Sequence, residues 1–218
     1  MNLTTLIKQY FPASENEVTI DVFDEKNIYA VYHRVVSVLT QHLDIETTVL
    51  EAMSYCFYEI LDNVLIHSGK ELGTVITQYD PKNHILGFLI ADDGIGVQAS
   101  LSENEKYKTI SEPEALKMCI EDMVTDGKGM GFGLYSISRL NTTKAGLLLE
   151  VRSGNHTMQV KNGETTAIES EPWQGTIVYM QLQTDKEIDP AEVVAFRTDV
   201  SAEYREAFLN DNELEQLW

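Results

Sequence analysis

Apolar residues along the 218-residue chain fall into stretches of period 3.6 and stretches of period 2, and these mark out its elements. Residues 1–14 carry Leu3, Leu6, Ile7, Tyr10 and Phe11 at helical spacing and stop at Pro12. Residues 17–22 alternate as a strand, and residues 25–42 repeat apolar positions as a helix does. A longer helix follows, with Asp44 or Thr47 as its cap. Its stripe of Val49, Met53, Cys56, Phe57, Ile60, Leu61 and Val64 runs to Ser68-Gly69. Residues 73–79 and 84–91 read as two strands joined through Asp80-Pro81-Lys82-Asn83, a hairpin with turn chemistry. Residues 97–128 are polar and irregular except for a short helix over 112–124. The glycine cluster 127–133 then leads into an apolar helix over 134–140. Residues 146–152, 157–161 and 176–183 alternate as three more strands, and the tail after Asp189 is helical and acidic. Helices fill the first half and strands dominate the second, which predicts a two-layer α/β sandwich with a mixed sheet.

Charge narrows the partners. The formal net charge is −19, and an acidic surface repels phosphate backbones and anionic lipid, so direct nucleic-acid or membrane binding is not expected. No apolar run approaches the roughly 18 residues of a membrane span, and the N-terminus lacks a basic-then-apolar signal pattern. Cys56 and Cys119 both lie within helical patterns with no CxxC spacing, which fits reduced core thiols in the cytoplasm. A phosphate-bearing ligand would need local donors and a metal.

Four short stretches carry candidate chemistry. Glu59 and Asn63, four apart, project side by side on the long helix. An Asn carbonyl suits Mg²⁺, which takes few protein ligands beside phosphates and water. A carboxylate one turn away can accept a proton from an attacking water or hydroxyl. Taken alone, the pair reads first as a solvated helix face with incidental polar residues. Ala91-Asp92-Asp93-Gly94-Ile95-Gly96 ends an apolar strand. Its glycines permit a tight turn beside a flat ligand, and Asp92 can accept from an exocyclic amine such as adenine N6. Asp-Gly is also ordinary turn chemistry.

The third stretch, Gly127-Lys128-Gly129-Met130-Gly131-Phe132-Gly133-Leu134, alternates glycines before a helix, so successive N–H groups and the helix N-terminus can converge on an anion. It is neither the Walker pattern nor the dinucleotide fingerprint. The fourth, Gly175-Thr176, opens the last strand and says nothing by itself.

As an ordered set the four resemble the gyrase, histidine kinase and mismatch-repair (GHKL) ATPase superfamily, over roughly residues 17–183. The resemblance implies the Bergerat ATP-binding fold, a mainly antiparallel sheet covered on one face by helices, with ATP and Mg²⁺ as ligands. By that resemblance Asn63 holds the metal and Glu59 activates the attacking water. Asp92 reads adenine, with Gly94 and Gly96 shaping the wall beneath the base, and Thr176 shares a water with Asp92 and adenine. Gly129, Gly131 and Gly133 close over the phosphates, with Lys128 and Leu134 beside them. The implied organisation is a helical extension over 1–16, an ATP-binding domain over 17–184 with its lid at 97–133, and an acidic helical extension over 185–218. The lid should be open and protease-sensitive until nucleotide arrives.

Within the superfamily the chain is most similar to stand-alone anti-sigma-factor serine kinases. His33 lacks the acidic residue and proline that flank a phospho-accepting histidine, and His67 reads as a core or capping residue. Too few residues follow the last strand for a gyrase-type transducer. The expected role is a cytosolic regulator that binds or phosphorylates a sigma-factor-like or anti-sigma-antagonist-like partner. An ATP-hydrolysing switch that recruits a partner or a second copy, as in a homodimer, stays open beside it, as does a nucleotide sensor without turnover.

Overall fold

The structure, a computed structural model, describes residues 3–11, 18–42, 44–128 and 133–194. Five strands form one sheet in the order β1-β2-β3-β5-β4: β1 Val18–Phe23, β2 Gly73–Asp80, β3 Ile85–Ala91, β4 Gly146–Lys161 and β5 Glu164–Gln183. Every neighbouring pair is antiparallel, so the expected mixed sheet is in fact uniform. The turns explain part of this. Asp80 Oδ1 accepts from the N–H groups of Lys82 and Asn83 at 3.1 and 3.3 Å, closing the β2–β3 hairpin. Asn162 and Gly163, at φ 52° and 79°, close the β4–β5 hairpin in the left-handed conformation that suits strand twist.

The period-2 pattern sorts side chains to the two faces. On one, Phe88, Ile90, Val151, Val178 and Met180 pack beneath α2 (Ile28–Thr40) and α3 (Thr47–His67), in a core that includes Val35, Met53, Phe57 and Ile60. Phe57 and Phe88 meet edge to face, with centroids 5.8 Å apart. Burying each such side chain contributes about 2–3 kcal/mol. The two-layer sandwich is therefore present. The opposite face carries a smaller cluster of Ile76, Leu89, Ala91, Ile177 and Tyr179, against which α1 (Leu3–Tyr10) lays Leu6 and Tyr10, with Phe11 just beyond. Helix α3 begins after Glu46 without a side-chain cap. Asp44, expected as a cap, instead accepts from the Tyr79 hydroxyl at 2.6 Å.

Residues 97–126 depart most from the sequence reading. They form α4 (Val97–Leu101), a 3-10 turn at Glu105–Tyr107 and α5 (Glu112–Met118). Leu101, Tyr107, Ala115 and Leu116 are all buried in the main core. A long open loop is not what this segment forms, because widely spaced apolar residues in a polar sequence each find a core position. A capping box between Ser111 and Glu114 fixes the start of α5, which ends at Met118 and not at residue 124. Helices α6 (Gly133–Thr142) and α7 (Pro190–Val194) complete the described elements. The acidic tail over 195–218 lies outside the described residues. No helix among the described residues is long and apolar enough to cross a membrane.

Candidate functional site

A cavity of about 550 Å³ opens where β3 ends, between α3, α4 and the start of α6. Ile60, Ile90, Val97 and Val178 supply apolar walls. Of the residues singled out from the sequence, Glu59, Asn63, Asp92, Gly96, Lys128, Leu134 and Thr176 all line it. Residues far apart in the chain thus share one concave site. Its volume falls in the range of roughly 300–1,000 Å³ usual for small-molecule pockets. Gly133 begins α6 nearby, whereas Gly129 and Gly131 lie outside the described residues.

Asp92 is the most constrained of these residues. It is only 4% exposed, and its Oδ1 accepts from the Gly94 N–H at 2.7 Å. Its own N–H donates to the Thr176 carbonyl at 2.9 Å. Burial pushes the Asp92 carboxyl up to about 6, against the opposing pull of the Gly94 and Thr176 backbone N–H groups. An apolar wall on one side and fixed donors on the other leave a carboxylate poised for a donor brought by a ligand.

The glycines of the turn serve the protein's own packing. A Cβ on Gly94 would stand 2.2 Å from the Ser68 carbonyl oxygen at the end of α3, and Gly94 itself does not line the cavity. Gly175, at φ +94°, would set a Cβ 2.3 Å from the Asp92 carbonyl oxygen. The close approach is therefore between the turn, α3 and β5, and this fixes where Asp92 points.

Several lining residues were not assigned a role from the sequence. His67 does not fill the core. It faces the cavity, and its Nδ1 lies 2.8 Å from Asp126 Oδ2. Asp126 also accepts from Ser100 Oγ at 2.8 Å and from the Lys128 N–H at 2.9 Å. Burial alone would raise this carboxyl, but Lys128, His67 and Ser100 together hold it below the usual range. Asp62, read only as helix surface, lines the cavity too, and burial raises its carboxyl. The Cys119 thiol is pushed up to about 12 by burial, so it stays protonated. Lys128 directs Nζ to Glu103 Oε2 at 2.6 Å. No spacing rule connects residue 67 to residue 126; they meet only in the folded core, where Ser100 of α4 joins the same carboxylate.

The lining is thus rich in carboxylates, Glu59, Asp62, Asp92 and Asp126, with Lys128 and His67 as the basic groups. Among the described residues, no group of three or more His, Cys, Asp and Glu is placed to hold a metal ion. Compared with models of known protein families and with curated proteins, the sequence matches none of them.

Proposed function

We propose that the cavity is a Mg-ATP site of the GHKL type. The observation that carries this reading is the buried carboxylate of Asp92, which lines the same cavity as Asn63 and Glu59 beside the apolar Ile90, Val97 and Val178. Adenine is flat, apolar on its faces and offers an amine donor at its edge. Ile90, Val97 and Val178 suit its faces and Asp92 its amine. Guanine presents a carbonyl there, and a buried carboxylate against a carbonyl costs on the order of 1–3 kcal/mol or more.

The carboxylate-rich lining makes a divalent cation necessary for a polyphosphate. Because no three His, Cys, Asp or Glu ligands are grouped among the described residues, the ion would share the Asn63 carbonyl, phosphate oxygens and water, which is how Mg²⁺ is usually held. The metal would neutralise charge on the phosphates. Glu59, one turn from Asn63 on α3, would take the proton from the attacking oxygen. Lys128 and the first turn of α6 at Gly133 and Leu134 would face the phosphates.

The biological reading is a cytosolic regulator, similar to anti-sigma-factor serine kinases, that transfers a phosphoryl group to a protein partner or binds it when loaded. One observation favours a second reading, the hydrolysing switch: Glu59 lines the cavity beside Asn63, where it can serve water as readily as a partner hydroxyl. Incubation with γ-labelled ATP separates the two. Phosphate release from the protein alone supports the switch, and transfer to an added partner supports the kinase. Absence of nucleotide binding removes both.

A further inference from the structure

Strand β5 leaves its ladder with β4 twice on the way to Thr176. Ser153 pairs with Thr176 and Gly154 with Trp173, so Gln174 and Gly175 are extra residues on β5. A second irregularity separates Gly154 from His156, which pairs with Glu169. Such bulges give up ladder hydrogen bonds and re-aim the side chains they carry. Here side chains take over the lost bonds. Arg152, buried at 7% exposure, donates from Nε and Nη2 to the Glu171 carbonyl at 3.0 and 2.5 Å. Ser153 Oγ donates to the Gly175 carbonyl at 2.7 Å.

Between those anchors the bulged segment reaches the Asp92 turn. Trp173 Nε1 donates to the Asp92 carbonyl at 3.1 Å, and Gln174 Nε2 donates to the Gly94 carbonyl at 2.5 Å. The indole also packs against the back-face cluster that contains Leu6, Tyr10, Ala91 and Ile177. Arg152 Nη1 donates to Gln9 of α1 at 3.3 Å.

We infer that Trp173 is the positioning residue for the base-reading carboxylate of Asp92, and that helix α1 helps to seat it from the back of the sheet. This rests on the nucleotide reading above. The Asp92 N–H is held by Thr176 and its carbonyl by Trp173, so the peptides on both sides of its Cα are fixed. The Gly94 N–H that grips the carboxylate lies one peptide further along, and Gln174 holds the Gly94 carbonyl, so the two contacts together brace the turn that presents the carboxylate. Neither Trp173 nor Gln174 lines the cavity, so their influence on a ligand passes through Asp92 and Gly94.

The test is calorimetric titration of the full chain with Mg-ATP and with Mg-GTP, in wild type, Trp173→Phe, Gln174→Met and Asp92→Asn. Trp173→Phe keeps an aromatic ring against the back-face cluster and removes the N–H donor together with part of the indole's packing area. It should weaken Mg-ATP by about tenfold, the order of one lost buried hydrogen bond, while Mg-GTP changes much less. Gln174→Met should shift the ratio in the same direction. Should Trp173→Phe fail to fold, Gln174→Met decides alone, because it lies outside the apolar cluster. An unchanged ATP-to-GTP ratio in both folded variants overturns the positioning role. If Asp92→Asn retains the wild-type preference for ATP, the nucleotide reading itself is what fails.

Discussion

His67 on α3 donates from Nδ1 to Asp126 Oδ2 across 2.8 Å, tying the helix that carries Asn63 to the residue just before Gly127. The donor assignment follows from Asp126, whose depressed carboxyl is ionised and can only accept. Ser100 on α4 joins the same carboxylate. Asp126→Ala leaves His67 and Ser100 without their partner, and should lower stability by about 2 kcal/mol or more, several degrees in melting temperature. Because the folded carboxyl is depressed, its contribution is present above pH about 4 and is lost as pH falls below it. A variant that melts with the wild type at pH 7 would show the tie to be slack.

Asp92 works in the opposite direction. Its ordinary value of 3.8 is raised to about 6 on folding. Between those values the folded chain holds a proton that the unfolded chain has lost. Ligand-free stability should therefore fall as pH rises from about 4 to about 6, by about 3 kcal/mol from this group. Asp92→Asn should remove that slope and melt no lower than wild type at pH 7 without ligand, while its Mg-ATP affinity drops sharply. Melting curves across pH check this. A wild-type-to-variant difference that does not change with pH would contradict it.

Limited proteolysis should spare the segment from Gln98 to Asp126 in the ligand-free protein. Leu101, Tyr107, Ala115 and Leu116 are buried there, and a protease needs the segment to leave the core. Early cleavage at Lys106, Lys108 or Lys117 by trypsin would mean that α4 and α5 are not held as described.

Asn63→Ala and Glu59→Ala should separate in their effects. Loss of the Asn63 carbonyl should reduce Mg-ATP affinity, with little change when nucleotide is offered without metal. Glu59→Ala should keep binding and lose turnover by roughly 10²–10⁴-fold. Equal loss of binding in both variants, measured by titration beside a phosphate-release assay, would remove Glu59 as a proton acceptor.

The sequence made the α3 stripe, the β2–β3 hairpin and the glycine turn after β3 legible because each is a local pattern, set by periodicity or by turn chemistry. Glu59, Asn63, Asp92 and Thr176 reach one cavity because those elements pack as their apolar faces require. The outer half of β5, before the expected strand over 176–183, is not legible. Thr165, Thr166 and Glu169 offer no apolar alternation, and Pro172 and Gly175 interrupt the strand, although Asn162-Gly163 is a strong hairpin signal. His67, Ser100 and Asp126 could not be grouped from spacing, since α4 and the chain after α5 bring them together only in the folded core. The bulge that carries Trp173 to Asp92 depends on a register slip between β4 and β5, and such slips leave little trace in composition.

The most direct measurement of the nucleotide reading is the melting temperature of the full chain with Mg-ATP, with Mg-GTP and with ATP in the presence of a chelator. A ligand at about a hundred times its Kd adds about 2.7 kcal/mol to the folded state, a shift of several degrees for a chain of this size. The site predicts that shift with Mg-ATP, a much smaller one with Mg-GTP, and most of it lost on chelation. Equal shifts with Mg-ATP and Mg-GTP, or none with either, would contradict the reading of Asp92 as the residue that selects adenine.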